Sequence, residues 1–229
     1  MPKKTGSRKR ARTEKKKGCR SLGEKRKMAG SDDRTYSEIQ RILGRMLELA
    51  RRAGPWQGAI AAVMRGDPAR LAQSIRGQDV NANVQGGTLL QLALCIVQSG
   101  QDGVDNAGNL ACVRAILNDS MADPNLTHCT YPPLLFALIG GSGAALRSLI
   151  LAGAKWTPFT APHGVRYETL EDLSASAVAP GCTDVLLRYR CANCGQLATK
   201  KCARCQSVRY CCEACQRTHR RTHRPHCRA

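Results

Sequence analysis

The sequence predicts a mainly α chain in three parts: a disordered basic N-terminal tail, a helical-repeat solenoid, and a small zinc-stabilised module at the C-terminal end. Three observations carry this. Apolar and turn-forming residues recur at an offset of 44 in the middle of the chain, eight of the 13 cysteines fall between Cys191 and Cys227, and the formal charge of +19 is gathered at the two ends.

A chain of 229 residues has room for one ordinary domain, or for two small ones and a tail. Residues 1–30 carry 13 basic and two acidic side chains, residues 31–187 carry 12 and 14, and residues 188–229 carry 11 and one. The middle is therefore nearly neutral and both flanks are polycationic. The longest apolar stretch, Leu89 to Val97, is broken by Gln91 and falls far short of the ~20 residues of a membrane span. No apolar run follows the basic N-terminus, which argues against a secretory signal. The expectation is a soluble intracellular protein, nuclear or cytoplasmic, whose thiols are reduced or metal-bound.

Within residues 1–30, Lys3-Lys4, Arg8-Lys9-Arg10, Lys15-Lys16-Lys17 and Lys25-Arg26-Lys27 alternate with Gly and Ser. Few apolar side chains are present to offset roughly 1–2 kcal/mol per residue of backbone ordering, so the tail is expected to be disordered. Basic clusters about ten residues apart resemble a bipartite nuclear-import signal, which favours the nucleus. Residues 31–54 read as an amphipathic capping helix: Ile39, Ile42, Leu43, Met46, Leu47 and Ala50 share one face, and Gly54-Pro55 ends it.

Residues 55–187 repeat themselves. Asp79-Val80-Asn81 recurs as Asp123-Pro124-Asn125, and Leu90, Ala93 and Leu94 find Leu134, Ala137 and Leu138 at the same offset. Removing about eleven residues from the turn-rich stretch around Gly100 to Asn109 restores a period near 33. Helix starts read Thr88-Leu89-Leu90-Gln91, Pro132-Pro133-Leu134-Leu135 and Thr169-Leu170-Glu171-Asp172; second helices read Val113-Arg114-Ala115-Ile116-Leu117, Leu146-Arg147-Ser148-Leu149-Ile150 and Asp184-Val185-Leu186-Leu187. This resembles the ankyrin repeat, three to four degenerate copies of it, with hairpins best formed at Met121 to Asn125 and Ala152 to Lys155 and a last copy stretched by Phe159 to Tyr167. Each helix pair has an apolar face that only a neighbouring pair can cover. A generic helical bundle is the competing expectation. His128 and His163 are isolated in sequence and no catalytic set is apparent; Cys95, Cys112, Cys129 and Cys182 read as small buried hydrophobes.

The C-terminal cysteines read C-x2-C-x7-C-x2-C-x5-C-x3-C-x7-H-x3-C, from Cys191, Cys194, Cys202, Cys205, Cys211 and Cys215 to His223 and Cys227. Each C-x2-C knuckle supplies one edge of a metal site, and residues four apart on a helix share a face, which suits Cys211 with Cys215 and His223 with Cys227. Eight N/S donors make two closed tetrahedral sites, and thiolate and imidazole together favour zinc, so two Zn2+ are expected. About 37 residues cannot fold on a hydrophobic core alone, so metal binding and folding should be one event.

At these residues the chain resembles a MYND zinc finger, over residues 191–227. Six cysteines before the His separate it from RING and PHD fingers, and Lys201 to Cys211 together with Cys215-Gln216 agree beyond the donors. The resemblance implies cross-bracing, with Cys191, Cys194, Cys211 and Cys215 on the first zinc and Cys202, Cys205, His223 and Cys227 on the second. Cys212 competes with Cys211, and His219 or His226 with His223. The family's peptide groove, which often takes proline-rich segments, uses a Gln and a Trp; Gln216 is present, but Arg220 stands at the Trp position. Losing that aromatic wall shifts the expected partner toward an acidic or otherwise different peptide.

The functional expectation is a non-enzymatic protein-interaction adaptor, possessing no catalytic residues, no small-molecule substrate and no membrane partner, with a role in nuclear or transcriptional regulation. The alternative is nonspecific, weak nucleic-acid association through the basic ends. Against an enzyme stand the closed zinc sites and the lack of a segment resembling the SET domain that accompanies MYND fingers in lysine methyltransferases.

Overall fold

A computed structural model describes residues 54–84, 86–97, 107–128, 131–161, 164–173, 178 and 180–228, together with helical positions 37, 41, 44 and 48. The basic tail, the apolar face of the capping helix, Cys129 and His163 lie outside the described residues. Among those described are eight α-helices: α1 (Gln57–Arg65), α2 (Pro68–Ser74), α3 (Leu89–Ile96), α4 (Ala107–Leu117), α5 (Pro133–Gly140), α6 (Gly143–Leu151), α7 (Pro180–Arg188) and α8 (Glu213–His223). No described helix is long and apolar enough to cross a membrane.

Local chemistry sets the helix ends. Gly66 takes the left-handed conformation (φ 65°) and returns its N–H to the α1 carbonyls of Ala62 and Val63, and Asp67 at once caps α2 through Arg70 N, with Pro68 in the first turn. Thr88 and Gln91 form a capping box on α3, and the Gln91 amide then donates to the Tyr131 carbonyl at 2.8 Å in the next helix pair. Seven residues of α3, Leu89 to Cys95, are buried, so this one polar side chain had to be satisfied at both ends. Ser142 caps α6 through Ala145 N.

The helices pack as successive pairs. Helices α1 and α2, α3 and α4, and α5 and α6 pair; the first helices α1, α3 and α5 then stack on one another, as do the second helices α2, α4, α6 and α7. One continuous core runs through the pairs, and Cys95, Cys112 and Cys182 are buried in it. Burial and the nearby Asp67 charge push the Cys112 thiol up to about 11, so it is a neutral packing group. Glycines permit two close approaches: a Cβ on Gly143 of α6 would lie 2.2 Å from the Gly181 carbonyl oxygen in α7, and one on Gly108 of α4 would lie 2.4 Å from that of Gly66, between α1 and α2.

The repeated Asp-x-Asn triplets bridge neighbouring pairs in the same way. Asn81 donates to Met121 O at 2.6 Å and accepts from Asp123 N at 2.9 Å; Asn125 donates to Gly153 O at 3.4 Å and accepts from Lys155 N at 2.8 Å. Asp79 and Asp123 each turn the chain by accepting the N–H two residues on. His128 joins this set through its Nε2, 2.6 Å from the Asn81 carbonyl.

Two sequence expectations need correction. The segments Met121 to Asn125 and Ala152 to Lys155 are turns held by these side chains and form no strand pair; Pro124 lacks the N–H a ladder requires. The last copy opens with a single 3-10 turn, Leu170–Asp172, and not an α-helix: the Asp172 carboxylate accepts from the N–H groups of Glu168 and Thr169, but Leu173 at once returns to extended backbone. The stretch before it forms an antiparallel pair, β1 (Phe159–Thr160) with β2 (Arg166–Tyr167), whose Phe159 and Tyr167 rings stack at 4.8 Å.

Gly143→Ala is expected to cost about 1–3 kcal/mol, because the obstructing atom is backbone. Asn125→Ala should cost about 1 kcal/mol through loss of both bridging bonds. Urea denaturation of the zinc-loaded chain reads both as lowered midpoints.

Candidate metal centre

The C-terminal module is built from β3 (Lys200–Lys201), antiparallel to β4 (Arg209–Tyr210), followed by α8 and a 3-10 turn at Arg224–His226. Its own core consists of Cys191, Ala198, Cys202 and Tyr210. Two of these four are candidate ligands, so apolar burial contributes little.

Both knuckles fold alike. Gly195 N bonds Cys191 O, Gln206 N bonds Cys202 O, and the residue after each second cysteine has positive φ: Gly195 at 79° and Gln206 at 56°. Gln206 carries a side chain into that region and offsets part of the strain with a bond from its amide to Ala203 O. The turn aims backbone N–H groups at the first cysteine. At Cys191 burial works upward, but the N–H groups of Cys194, Cys211 and Asn193 outweigh it and hold the thiol near about 6; at Cys202 the N–H of Cys205, the His223 ring and the N–H of Arg204 do the same, again to about 6. The first cysteine of each knuckle is thus favoured as a thiolate.

The eight expected donors fall into two groups. Cys191, Cys194, Cys211 and Cys215 form one, and Cys202, Cys205, His223 and Cys227 the other, with the donor atoms of each within 4.8 Å of one another. Within them Cys194 and Cys211 Sγ lie 3.5 Å apart, Cys211 and Cys215 3.5 Å, Cys202 and Cys227 3.8 Å, and Cys205 Sγ lies 3.4 Å from His223 Nε2. A tetrahedron with Zn–S near 2.3 Å has S···S edges of about 3.8 Å and a mixed S···N edge of about 3.6 Å. The separations fit zinc and exclude disulfides, whose sulfurs would be near 2.05 Å.

The helical account of the later donors needs revision. Cys211 follows β4 and precedes α8, which starts at Glu213, so a strand-to-helix corner brings it to Cys215; His223 is the last residue of α8, and the 3-10 turn returns Cys227 to it. Among the competing residues, Cys212 is exposed and belongs to neither group, although its Sγ lies 3.8 Å from that of Cys211. His219 is 3.1 Å through Nδ1 from the Tyr210 hydroxyl and stacks on His223 at 5.8 Å, and His226 is exposed outside both groups. Gln216 and Arg220 are exposed, one turn apart on α8.

The module also contacts the helical stack, to which only Arg188-Tyr189-Arg190 joins it, a connection short enough to predict near-rigid coupling. Tyr189, directly after α7, is buried; its carbonyl accepts from Ala198 N at 2.7 Å, and the Arg209 guanidinium lies 4.4 Å over its ring. Arg190 pairs with Glu171, and Leu197 packs on the main core. A lone aromatic between Arg188 and Arg190 was the available signal.

Fold and site together define a mainly helical chain ending in a cross-braced zinc-binding module. Residues 191–227 match the family model of the MYND finger, a zinc-binding protein-interaction domain. Neither the comparison with curated proteins nor that with solved structures returns a match.

Zinc affinity should depend steeply on pH. Burial holds the metal-free Cys227 thiol up at about 11, Cys211 and Cys215 are also raised, and the Cys202 thiolate raises His223. These groups must lose protons to ligate, so affinity rises with pH and falls as pH drops from 8 to 6. Release of more than one proton means over about tenfold per pH unit, measured by competition with a chromophoric chelator. A flat profile would exclude thiolate ligation. Native mass spectrometry should find two metals per chain.

Proposed function

We propose that the chain is a non-enzymatic adaptor in which ankyrin-type repeats and a MYND finger each engage a protein partner. The observation that carries this reading is the closure of both donor groups: with four ligands each, neither leaves a coordination position for a reacting water. The ankyrin assignment is supported by paired helices stacking first on first and second on second, and by the same Asn bridge recurring at Asn81 and Asn125. We take the metal ligands to be Cys191, Cys194, Cys211 and Cys215 for one zinc, and Cys202, Cys205, His223 and Cys227 for the other.

On the finger, Gln216 and Arg220 supply the partner contact. A guanidinium where a Trp would stand exchanges an apolar wall for a fork of donors suited to carboxylates, so the finger's partner is a polar or acidic segment and not a proline-rich one. The basic clusters from Lys3 to Lys27 direct the protein to the nucleus, where it acts in regulation.

The test is affinity purification with the full chain beside its Cys202→Ser/Cys205→Ser variant. Partners lost with the variant belong to the finger and those retained belong to the repeats; loss of none would remove the finger from the reading. Arg220→Trp should raise affinity for a Pro-x-Leu-x-Pro peptide by about tenfold, read by fluorescence anisotropy. An unchanged affinity would show that this position does not select the partner.

A further inference from the structure

The outer face of the stack carries a groove that neither the helix packing nor the finger uses. It has a volume of about 670 Å³ and crosses the second helices α4, α6 and α7. Three guanidinium groups line it, one from each helix: Arg114, Arg147 and Arg188. All three are exposed, and among the described residues none is in an ion pair, whereas Arg166, Arg190 and Arg217 each have a carboxylate partner. Arg114 and Arg147 hold equivalent positions in their helices, as the alignment of Val113 to Leu117 with Leu146 to Ile150 places them.

The floor explains why the groove is open. Gly141, Gly143 and Gly181 contribute no side chains, and the close approach of Gly143 to the Gly181 carbonyl draws α6 and α7 together beneath it. The walls are not uniformly basic. Val185 and the exposed Leu151 add apolar surface, Ser148 receives an N–H from Arg114 at 3.5 Å, and Asp184 adds one carboxylate.

We propose that this groove binds an extended acidic peptide whose carboxylates are spaced to meet successive second helices. Packed helices lie about 8–10 Å apart, and a chain in the polyproline II conformation advances about 3.1 Å per residue with three residues per turn, so acidic side chains three residues apart share a face at about 9 Å and match the arginine row. Guanidinium forks pair carboxylates bidentately, and Val185 and Leu151 receive apolar side chains between them. A nucleic acid fits less well, because no aromatic ring lines the groove to stack on a base. The inference rests on the adaptor reading and names the partner chemistry of the repeat side.

Fluorescence anisotropy on the full, zinc-loaded chain at physiological salt tests it with defined probes. One peptide carries Glu at every third position with Leu between; a second has the same composition with its Glu residues in one block; a single-stranded RNA of equal charge is the third. The spaced peptide should bind several-fold more tightly than the blocked one. Arg114→Ala/Arg147→Ala/Arg188→Ala should weaken it by about tenfold or more. Removing the same charge from the tail (Lys15→Gln/Lys16→Gln/Lys17→Gln) or from the finger's exposed β3 side (Lys200→Gln/Lys201→Gln/Arg204→Gln) should change it by less than about twofold. Asp184→Asn should tighten it.

Equal losses in all three charge variants, or no preference for the spaced peptide, would mean diffuse attraction and overturn the proposal. So would RNA binding that is tighter and depends on the same arginines. The Cys202→Ser/Cys205→Ser variant should keep the peptide; its loss there would move the site to the finger and leave the adaptor reading standing.

Discussion

The convergence of eight sulfur and nitrogen donors on two points is the constraint on which the C-terminal module depends. Only Ala198 and Tyr210 supply buried side chains there that are not themselves donors. The turns around Gly195 and Gln206, the strand-to-helix corner at Cys211 and the 3-10 turn before Cys227 are each short and irregular. Each has the shape that delivers a sulfur atom to a tetrahedral corner. The backbone N–H groups aimed at Cys191 and Cys202 favour their thiolates, so an incoming cation meets an anchoring sulfur in each knuckle.

The helical stack follows a different logic. Its order comes from apolar burial between pairs, while polar side chains fix the spacing. Gln91 closes its own helix start and reaches the next pair, and Asn81 and Asn125 tie each turn to the following one. The Gly143–Gly181 contact sets how near α6 and α7 come, and the outer surface keeps a row of arginines that have no ion pair among the described residues.

Much of this was legible in the sequence, for physical reasons that differ by region. The donors were readable because metal coordination demands particular residue types at particular spacings. The repeat was readable because burial at each pair selects Leu and Ala at matched positions. Less legible was how the chain reaches those positions. Spacing by four led to a helical account of Cys211 with Cys215, yet a corner does the same work. The triplets Asp79 to Asn81 and Asp123 to Asn125 suggested hairpins, but their side chains replace the ladder, and a proline forbids it in the second copy. Thr169 to Asp172 had a helix-start pattern, yet the capping box closed one turn only. Contacts between distant segments, such as Arg209 on Tyr189 or Tyr210 with His219, leave no periodic trace.

The placement of Tyr189 has a wider consequence. An array of stacked pairs has no intrinsic end; its final pair presents an apolar flank that would recruit another array, and such proteins need a terminal unit with a polar outer side. Here Leu197 and Ala198 of the C-terminal module sit against Tyr189 and the main core, while Lys200, Lys201 and Arg204 are exposed. The C-terminal module thereby also covers the flank of the last described helix of the stack, and unfolding it would bare Tyr189 and the core beside Leu197.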